Sequence, residues 1–559
     1  MAMRNKHMVW MVLLCIALIA AGCSSSNNTD NGNQGAGGQT APSSPSAETP
    51  APEASSEPVV LSAFAAPGPN VENLETNWFT QHVEEMLNIR FDWVIAPNQG
   101  AEERKQLLLA SGDYPAVFVH GGFTKEEQMT YGQQGVLIPL NALIEEHAPN
   151  IKQRFAEISY LEPGVTAPDG NIYALPSINE NYHGSRGQKM WINQRWLDEL
   201  QLDMPRTTEQ FYKVLKAFKE RDPNGNNKQD EVPLSGAVGT WHANIDAFLM
   251  NAFVFNDNDR YFVMESGKLS FAPVQEGWKQ GLAYMNRLYK DGLIDPSAFT
   301  QKLEGLNQLG NNAGEAILGA FSAGHVGMAT SVSEGEDRHK DYVVLPPLQG
   351  PDGVQLTHYS PGAVGNSIFA ITNKATQEQA IAAIKLADYF YTAEGTLFAV
   401  NGPKGEMWDT AAADEIGLWG EPAAYTSKPR ADELDVQNFH WAQMGPTLRT
   451  AEWRASWATA QDPLDVSGYE LRLAQATKLY EPFDQKESYP AGVFISPEHA
   501  EEISHLYTSI DRHVETSMLQ FITGNKDIDK EWDSYVAGFE RLNLDRYLQI
   551  YQETYDNLQ

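Results

Sequence analysis

Between Ser24 and Pro58 the chain has no lysine, arginine or aromatic residue and consists almost wholly of Ser, Asn, Gly, Gln, Ala, Pro and Glu. Such a stretch cannot bury enough apolar surface to offset its ordering entropy, so it reads as a flexible stalk. Any core the chain builds must come from residue 59 onward. Ahead of the stalk, Met1 to His7 carry Arg4, Lys6 and His7, and Met8 to Ala21 form an apolar run closed by Ala20-Ala21-Gly22-Cys23. A basic head, a short apolar body and small residues before a cut site predict a secretory signal over residues 1–22. The body is too short for a spanning helix, which takes about 20 apolar residues.

A cysteine directly after small residues resembles the bacterial lipobox, which implies that Cys23 becomes the lipid-bearing first residue of the mature chain. Residues 23–58 are then a lipidated cysteine and a stalk, holding the rest at the extracellular face of the cell membrane. Ala20 stands where that pattern prefers Leu, and an ordinary secretory signal with a free Cys23 is the other reading. Net charge is −33 and falls further once Arg4 and Lys6 leave with the signal. That argues against nucleic acid or anionic lipid as a partner, since both need clustered cations. Of the two cysteines, Cys15 lies in the signal. The mature body therefore has no disulfide, no cysteine-ligated metal and no thiol nucleophile. This lack of bridges suits a Gram-positive surface.

The body alternates strand and helix patterns. Val59–Phe64, Phe91–Ile95 and Ala116–Val119 are apolar strand candidates, with a helix expected over Ala101–Ala110, stopped by Gly112 and Pro115. Strands alternating with helices predict an α/β layered fold. Phe211, Val214, Leu215 and Phe218 fall at helical spacing after a Thr207/Gln210 capping box. Thr376 with Gln379 repeats the device, ahead of Ile381, Ile384, Ala387 and Tyr391. Pro497–Tyr555 reads as mostly helical, broken at Gly524-Asn525. No internal repeat and no second linker is evident.

Several stretches resemble the family 1 extracellular solute-binding proteins of ABC importers, in their large Gram-positive lipoprotein branch. They include Leu109-Ala-Ser-Gly-Asp-Tyr-Pro115, Gly135-Val-Leu-Ile-Pro-Leu140 through Ile151, and Asp169-Gly-Asn-Ile-Tyr-Ala-Leu-Pro176. Others are Trp191-Ile-Asn193 through Leu197, Tyr289-Lys-Asp-Gly-Leu-Ile-Asp295, Gly324-His-Val-Gly-Met328, Ala387-Asp-Tyr-Phe390, and Phe521-Ile-Thr-Gly-Asn525 to Tyr551. The resemblance spans nearly all the body and extends to alginate-binding members, which implies an oligosaccharide ligand and an ABC permease as partners of a monomeric protein. It implies a two-lobed, periplasmic-binding-protein-like (type II) α/β fold with a hinge and an interlobe ligand cleft. Residues 59–176 and 346–400 would form lobe 1, and 177–345 and 401–559 lobe 2. The crossings are expected at Tyr173–Ile178 and Tyr342–Pro347, both extended and Pro-containing.

In the loop from Asp222 to Glu231, oxygen side chains fall at positions 1 (Asp222), 3 (Asn224), 5 (Asn226) and 9 (Asp230), and Lys228 at 7 offers its carbonyl. This is the alternation by which an EF-hand-like loop turns oxygens toward one hard cation. The twelfth-position Glu is replaced by Pro233, so Glu231 must supply the closing carboxylate. The alginate-binding relatives show this shortened form, which supports a structural Ca2+; a solvated Asn/Gly turn is the alternative.

A sugar exposes an apolar C–H face and a polar rim, so its site needs flat aromatic surfaces beside groups that both donate and accept hydrogen bonds. Candidates are Tyr182 and Arg186 within Asn179–Arg186, Trp241 with His242, Tyr359, and Trp408 in the turn-rich loop Gly402–Asp409. Trp441, Trp453 and Trp457 form a further group for which core packing is equally expected. The competing expectation is a surface polysaccharide hydrolase or lyase, although no metalloprotease, nucleophile-elbow or phosphate-loop motif occurs. A peptide or lipid-like ligand is the alternative among binding proteins.

Overall fold

Val59–Ala65, the first strand, pairs in parallel with Ile89–Ile95 and with Val117–Phe118. Ser367–Ile371 returns from far along the chain to pair antiparallel with Val117–Phe118, and Ala174–Pro176 closes that edge. Successive side chains in a strand point to opposite faces. Ala63 and Ala65 accordingly enter one core with Val117, Phe369 and Ile384, while Phe64 enters another with Phe118, Phe123 and Tyr173. This sheet is covered on both faces, as its parallel pairings require. These strands come from a computed structural model that describes residues 57–559, except 99, 361–363, 365, 429–435, 491 and 559. The signal, Cys23 and the stalk through residue 56 lie outside the described residues.

A second sheet has the order Tyr342–Leu345, Met190–Asn193, Leu318–Ser322, Val232–Ser235. Met190 and Ile192 face a core shared with Trp196, Phe211 and the C-terminal helices, and Trp191 faces the opposite one with Phe321 and Tyr342. The expected α/β layering is thus realised twice.

The helix Thr208–Glu220 carries both hydrogen bonds of the predicted capping box and buries Phe211, Val214, Leu215 and Phe218. Each such burial is worth about 1.5–3 kcal/mol. Gln377–Phe390 has the second box, but its buried stripe runs through Ala380, Ala383, Ile384 and Ala387. Ile381, expected on that stripe, is only half-buried, because the helix lies with its small alanines against the sheet. The C-terminal region forms Pro497–Thr523, Ile528–Arg541 and Leu544–Asp556, and the first of these ends at Gly524 with φ 77°. Among the described residues no helix is long and apolar enough to cross a membrane.

Sheet and core membership locate the links between the two halves. Ala174–Pro176 belongs to the first sheet and Tyr342–Leu345 to the second; Leu348 still packs in the second sheet's core and Leu356 and Thr357 bond to Asn251 and Phe483, so the connections run through 177–189 and through the segment that follows Thr357. A third runs through 450–468. Before it, Leu448–Arg449 pairs in parallel with Ile178–Asn179, and Trp441, Met444 and Leu448 pack in the first sheet's core. After it, the helix Tyr469–Lys478 sends Leu473 and Ala476 into the core around Trp191.

Candidate functional site

The first link folds into a 3-10 turn over Tyr182–Arg186, immediately before the fully buried strand Met190–Asn193. It holds His183 close beneath Trp241, with ring centroids 6.0 Å apart. Trp241 is one of the few large side chains left open, at 39% exposure. Its ring also lies 4.9 Å from His242 and 6.0 Å from His325. It rests on the backbone of Gly324, where a Cβ atom would come within 2.1 Å of the indole. Only glycine lets the ring settle there. The result is an aromatic face, open on one side and ringed by imidazoles.

Those imidazoles are uncharged at neutral pH. Burial pushes His325 down to about 4. Burial and then the positive neighbours His358 and Lys189 push His242 down to about 3, and burial likewise lowers His183. Neutral His183 donates from Nδ1 to Glu470 Oε1 at 3.2 Å and accepts at Nε2 from Asn181 Nδ2 at 3.2 Å. Glu470 is bound by Arg454 at 2.9 Å. Burial opposes its charge, but the His183 hydrogen bond and the Arg454 charge prevail and hold it at about 2. His325 Nδ1 meets Tyr469 OH at 2.8 Å. The Nδ1 of His242 is buried and makes no hydrogen bond among the described residues. Buried polar atoms are ordinarily paired, so such an orphan marks a place where a partner is expected. Beneath the turn, Lys189 donates to the carbonyls of His183, at 2.9 Å, and Arg186. Burial, then the Arg186 charge, push its ammonium down to about 7.

The other nominated residues divide. Tyr182 donates its hydroxyl to Glu481, and its ring meets Trp419 edge-on at 5.2 Å. Trp419 is 48% exposed and has the Lys478 ammonium 4.7 Å over its ring. Arg186 is committed within the protein: it grips Asp484 with two nitrogens, Nε to Oδ1 at 2.7 Å, and lies 4.5 Å over the Tyr359 ring. The expected ligand role of Trp408 does not fit its position. It is 6% exposed, donates its indole N–H to the Gly402 carbonyl at 2.9 Å, and packs on Tyr425. Trp441 is fully buried as well. Sequence reasoning missed His325, Glu470, Tyr469 and Trp419. The glycine-flanked His325 was the one visible signal, since glycines beside a polar side chain allow close approach.

In the loop after Thr208–Glu220, Asp222 takes a positive φ of 48° and accepts from the backbone N–H groups of Asn226 at 3.2 Å and Asn227 at 3.0 Å. Asn224 and Asn226 turn their side-chain amides to Asp230 at 3.3 and 3.0 Å. The buried Glu231 Oε1 has no hydrogen-bond partner among the described residues, and burial, then Asp222 and Asp230, raise its pKa. No group of three or more His, Cys, Asp or Glu side chains placed to hold a metal occurs among the described residues. Here, however, two donors are Asn amides, whose oxygen and nitrogen exchange by a simple flip. An orphaned buried carboxylate oxygen beside two other carboxylates fits a hard cation.

Comparison with known proteins accords with this architecture. The family model of the bacterial extracellular solute-binding proteins matches residues 74–397. The fructooligosaccharide ABC transporter substrate-binding protein FusA of Streptococcus pneumoniae is 29% identical over 489 residues, covering 86% of each chain. Its structure in complex with kestose superposes with a TM-score of 0.77 at 27% identity, over 89% of this chain and 99% of that one. A structure of its EF-hand mutant gives a TM-score of 0.76 at 26% identity, over the same shares. Lipoprotein LipO of Bacillus subtilis is 25% identical over 73% of this chain and 74% of its own. The alginate-binding protein AlgQ2, at 22% identity and a TM-score of 0.69 over 90% of this chain and 99% of that one, shares the fold.

Proposed function

Because the chain belongs to the bacterial extracellular solute-binding proteins, we propose that it is the receptor of an ABC importer that captures an oligosaccharide on Trp241 and delivers it to a membrane permease. The observation that carries this reading is the open Trp241 face ringed by neutral His183, His242 and His325. An indole face suits the apolar side of a pyranose or furanose ring, and uncharged imidazoles donate to or accept from its hydroxyls without a desolvated charge. FusA, similar over most of the chain, is a fructooligosaccharide receptor. Membership of a solute-binding family also decides against the hydrolase or lyase reading: the chain is a non-enzymatic transport component.

Lobe 1 comprises residues 59–176, 367–400 and 437–449 around the first sheet, and lobe 2 comprises 190–345 and 469–559 around the second. The three links form the hinge. Ligand held by both lobes favours the shut form by its differential affinity, which is what a permease reads. Lipidation of Cys23 and the stalk hold the receptor at the membrane, raising its effective concentration at the permease. Asp222, Asn224, Asn226, the Lys228 carbonyl, Asp230 and Glu231 hold a structural Ca2+ that closes their loop.

Titration calorimetry with kestose and a panel of neutral and acidic trisaccharides tests the proposal. At least one sugar should bind the wild type and lose about ten- to hundredfold in affinity in W241A. Absence of binding across the panel, or shorter sugars appearing on incubation, would overturn it.

A further inference from the structure

Just before the third link stands an arginine whose side chain has no hydrogen-bond or ion-pair partner among the described residues. In the parallel pair of Leu448–Arg449 with Ile178–Asn179, Leu448 sits opposite Ile178 and Arg449 opposite Asn179. Leu448 and Ile178 enter the first sheet's core. Alternation therefore sends Arg449 and Asn179 out of the other face. On that face Asn179 accepts from Arg454 Nη1 at 3.2 Å. Arg454 binds Glu470, which holds His183 beneath Trp241. Arg449 thus shares the side of the sugar site.

Its surroundings are unusual in sign and in pairing. Arg449 is 7% exposed, yet its side chain makes no ion pair or hydrogen bond among the described residues, and its Nε is a buried orphan. The charged group facing it is another cation, Arg454, and burial followed by that charge pushes its guanidinium down to about 10. The neighbouring carboxylates are committed elsewhere. Glu180 takes the Tyr160 hydroxyl and the Ala451 N–H. Glu470 takes His183 and Arg454. Three more buried donors within the same short segment also lack acceptors among the described residues: Trp453 Nε1, Arg454 Nε and Trp457 Nε1. A stretch that places four buried N–H donors without an acceptor among the described residues beside an unpaired guanidinium carries the polarity of an anion site. A guanidinium presents the planar fork that a carboxylate matches with two parallel bonds.

We propose that Arg449 forms an anion subsite of the ligand cleft that binds the carboxylate of an acidic sugar, a uronate residue of the captured oligosaccharide. This rests on the oligosaccharide reading above and narrows it: hydroxyls could satisfy the donors, but only an anion also offsets the buried charge.

The test compares trigalacturonate, its methyl ester and kestose by titration calorimetry against the wild-type mature protein, R449Q and R449K. Free trigalacturonate should bind the wild type about ten- to hundredfold more tightly than its ester, as charged hydrogen bonds require. That preference should vanish in R449Q and return in part in R449K. The ester comparison needs no variant, so it stands even if R449Q fails to fold. Equal affinity for acid and ester, an R449Q that keeps the preference, or binding of kestose but not trigalacturonate would overturn the subsite and leave the oligosaccharide receptor intact. Binding of no sugar in either class would overturn both.

Discussion

At the scale of single residues, the imidazoles around Trp241 have lost their charge, and Arg186, Arg454 and Glu470 are matched within the protein. His242 and His325 have pKa values of about 3 and 4 because of burial, and His183 is lowered as well. The unfolded chain, with histidines near 6.5, binds more protons than the folded one throughout the mildly acidic range. Stability is therefore full above about pH 6.5 and is lost as pH falls toward 4 and then 3, by up to about 1.4 kcal/mol per pH unit for each such histidine. Thermal melts at pH 7, 6 and 5 should show this decline, and H325Q should flatten it. Gly324→Ala would drive a methyl group into the Trp241 indole. We expect it to tilt the ring and weaken sugar binding about tenfold or more, as loss of an aromatic anchor does. The melting temperature should change little, since the ring is already partly exposed; calorimetry and a melt on the same sample separate the two effects.

At the scale of elements, helices were the most readable part of the chain because their signals are local. Thr207, Gln210 and the Phe211 stripe lie within a dozen residues, and both cap bonds form as expected. Thr207→Ala should cost about 1 kcal/mol, read by urea denaturation, through loss of the hydrogen bond that satisfies a free N–H in the first turn. The candidate site was less readable because its partners are distant in sequence. Arg186 meets Asp484 across 298 residues, and His183 reaches Glu470 across 287. Nothing in the spacing of Arg186 distinguishes a ligand-binding arginine from one already paired. Trp408 shows the converse. A turn-rich loop suggested exposure, but the Gly402 carbonyl and the Tyr425 ring take the indole inward. The exposure of Trp241 was legible, because the glycines before it and the polar residues on both sides leave a large ring little else to pack on.

At the scale of the whole molecule, the Asp222–Glu231 loop gives a test of metal dependence. Calcium at millimolar concentration should raise the melting temperature by a few degrees and EDTA should reverse it, since a ligand bound only by the folded state stabilises by mass action. D222A and D230A should abolish the response, with a lowered calcium-free melt from the loss of the bonds these carboxylates accept from Asn224, Asn226 and Asn227. The three links between the sheets carry a further consequence. Ile178–Asn179 pairs with Leu448–Arg449, just before the third link, and the second link is tied to the first where Ser360 N–H donates to the Ser185 carbonyl at 2.8 Å and Arg186 lies over the Tyr359 ring. On the two-lobed reading proposed above, the connections then pass through one bonded waist, and a change at Ser185 or Ser360 would be felt by both of the segments it ties together.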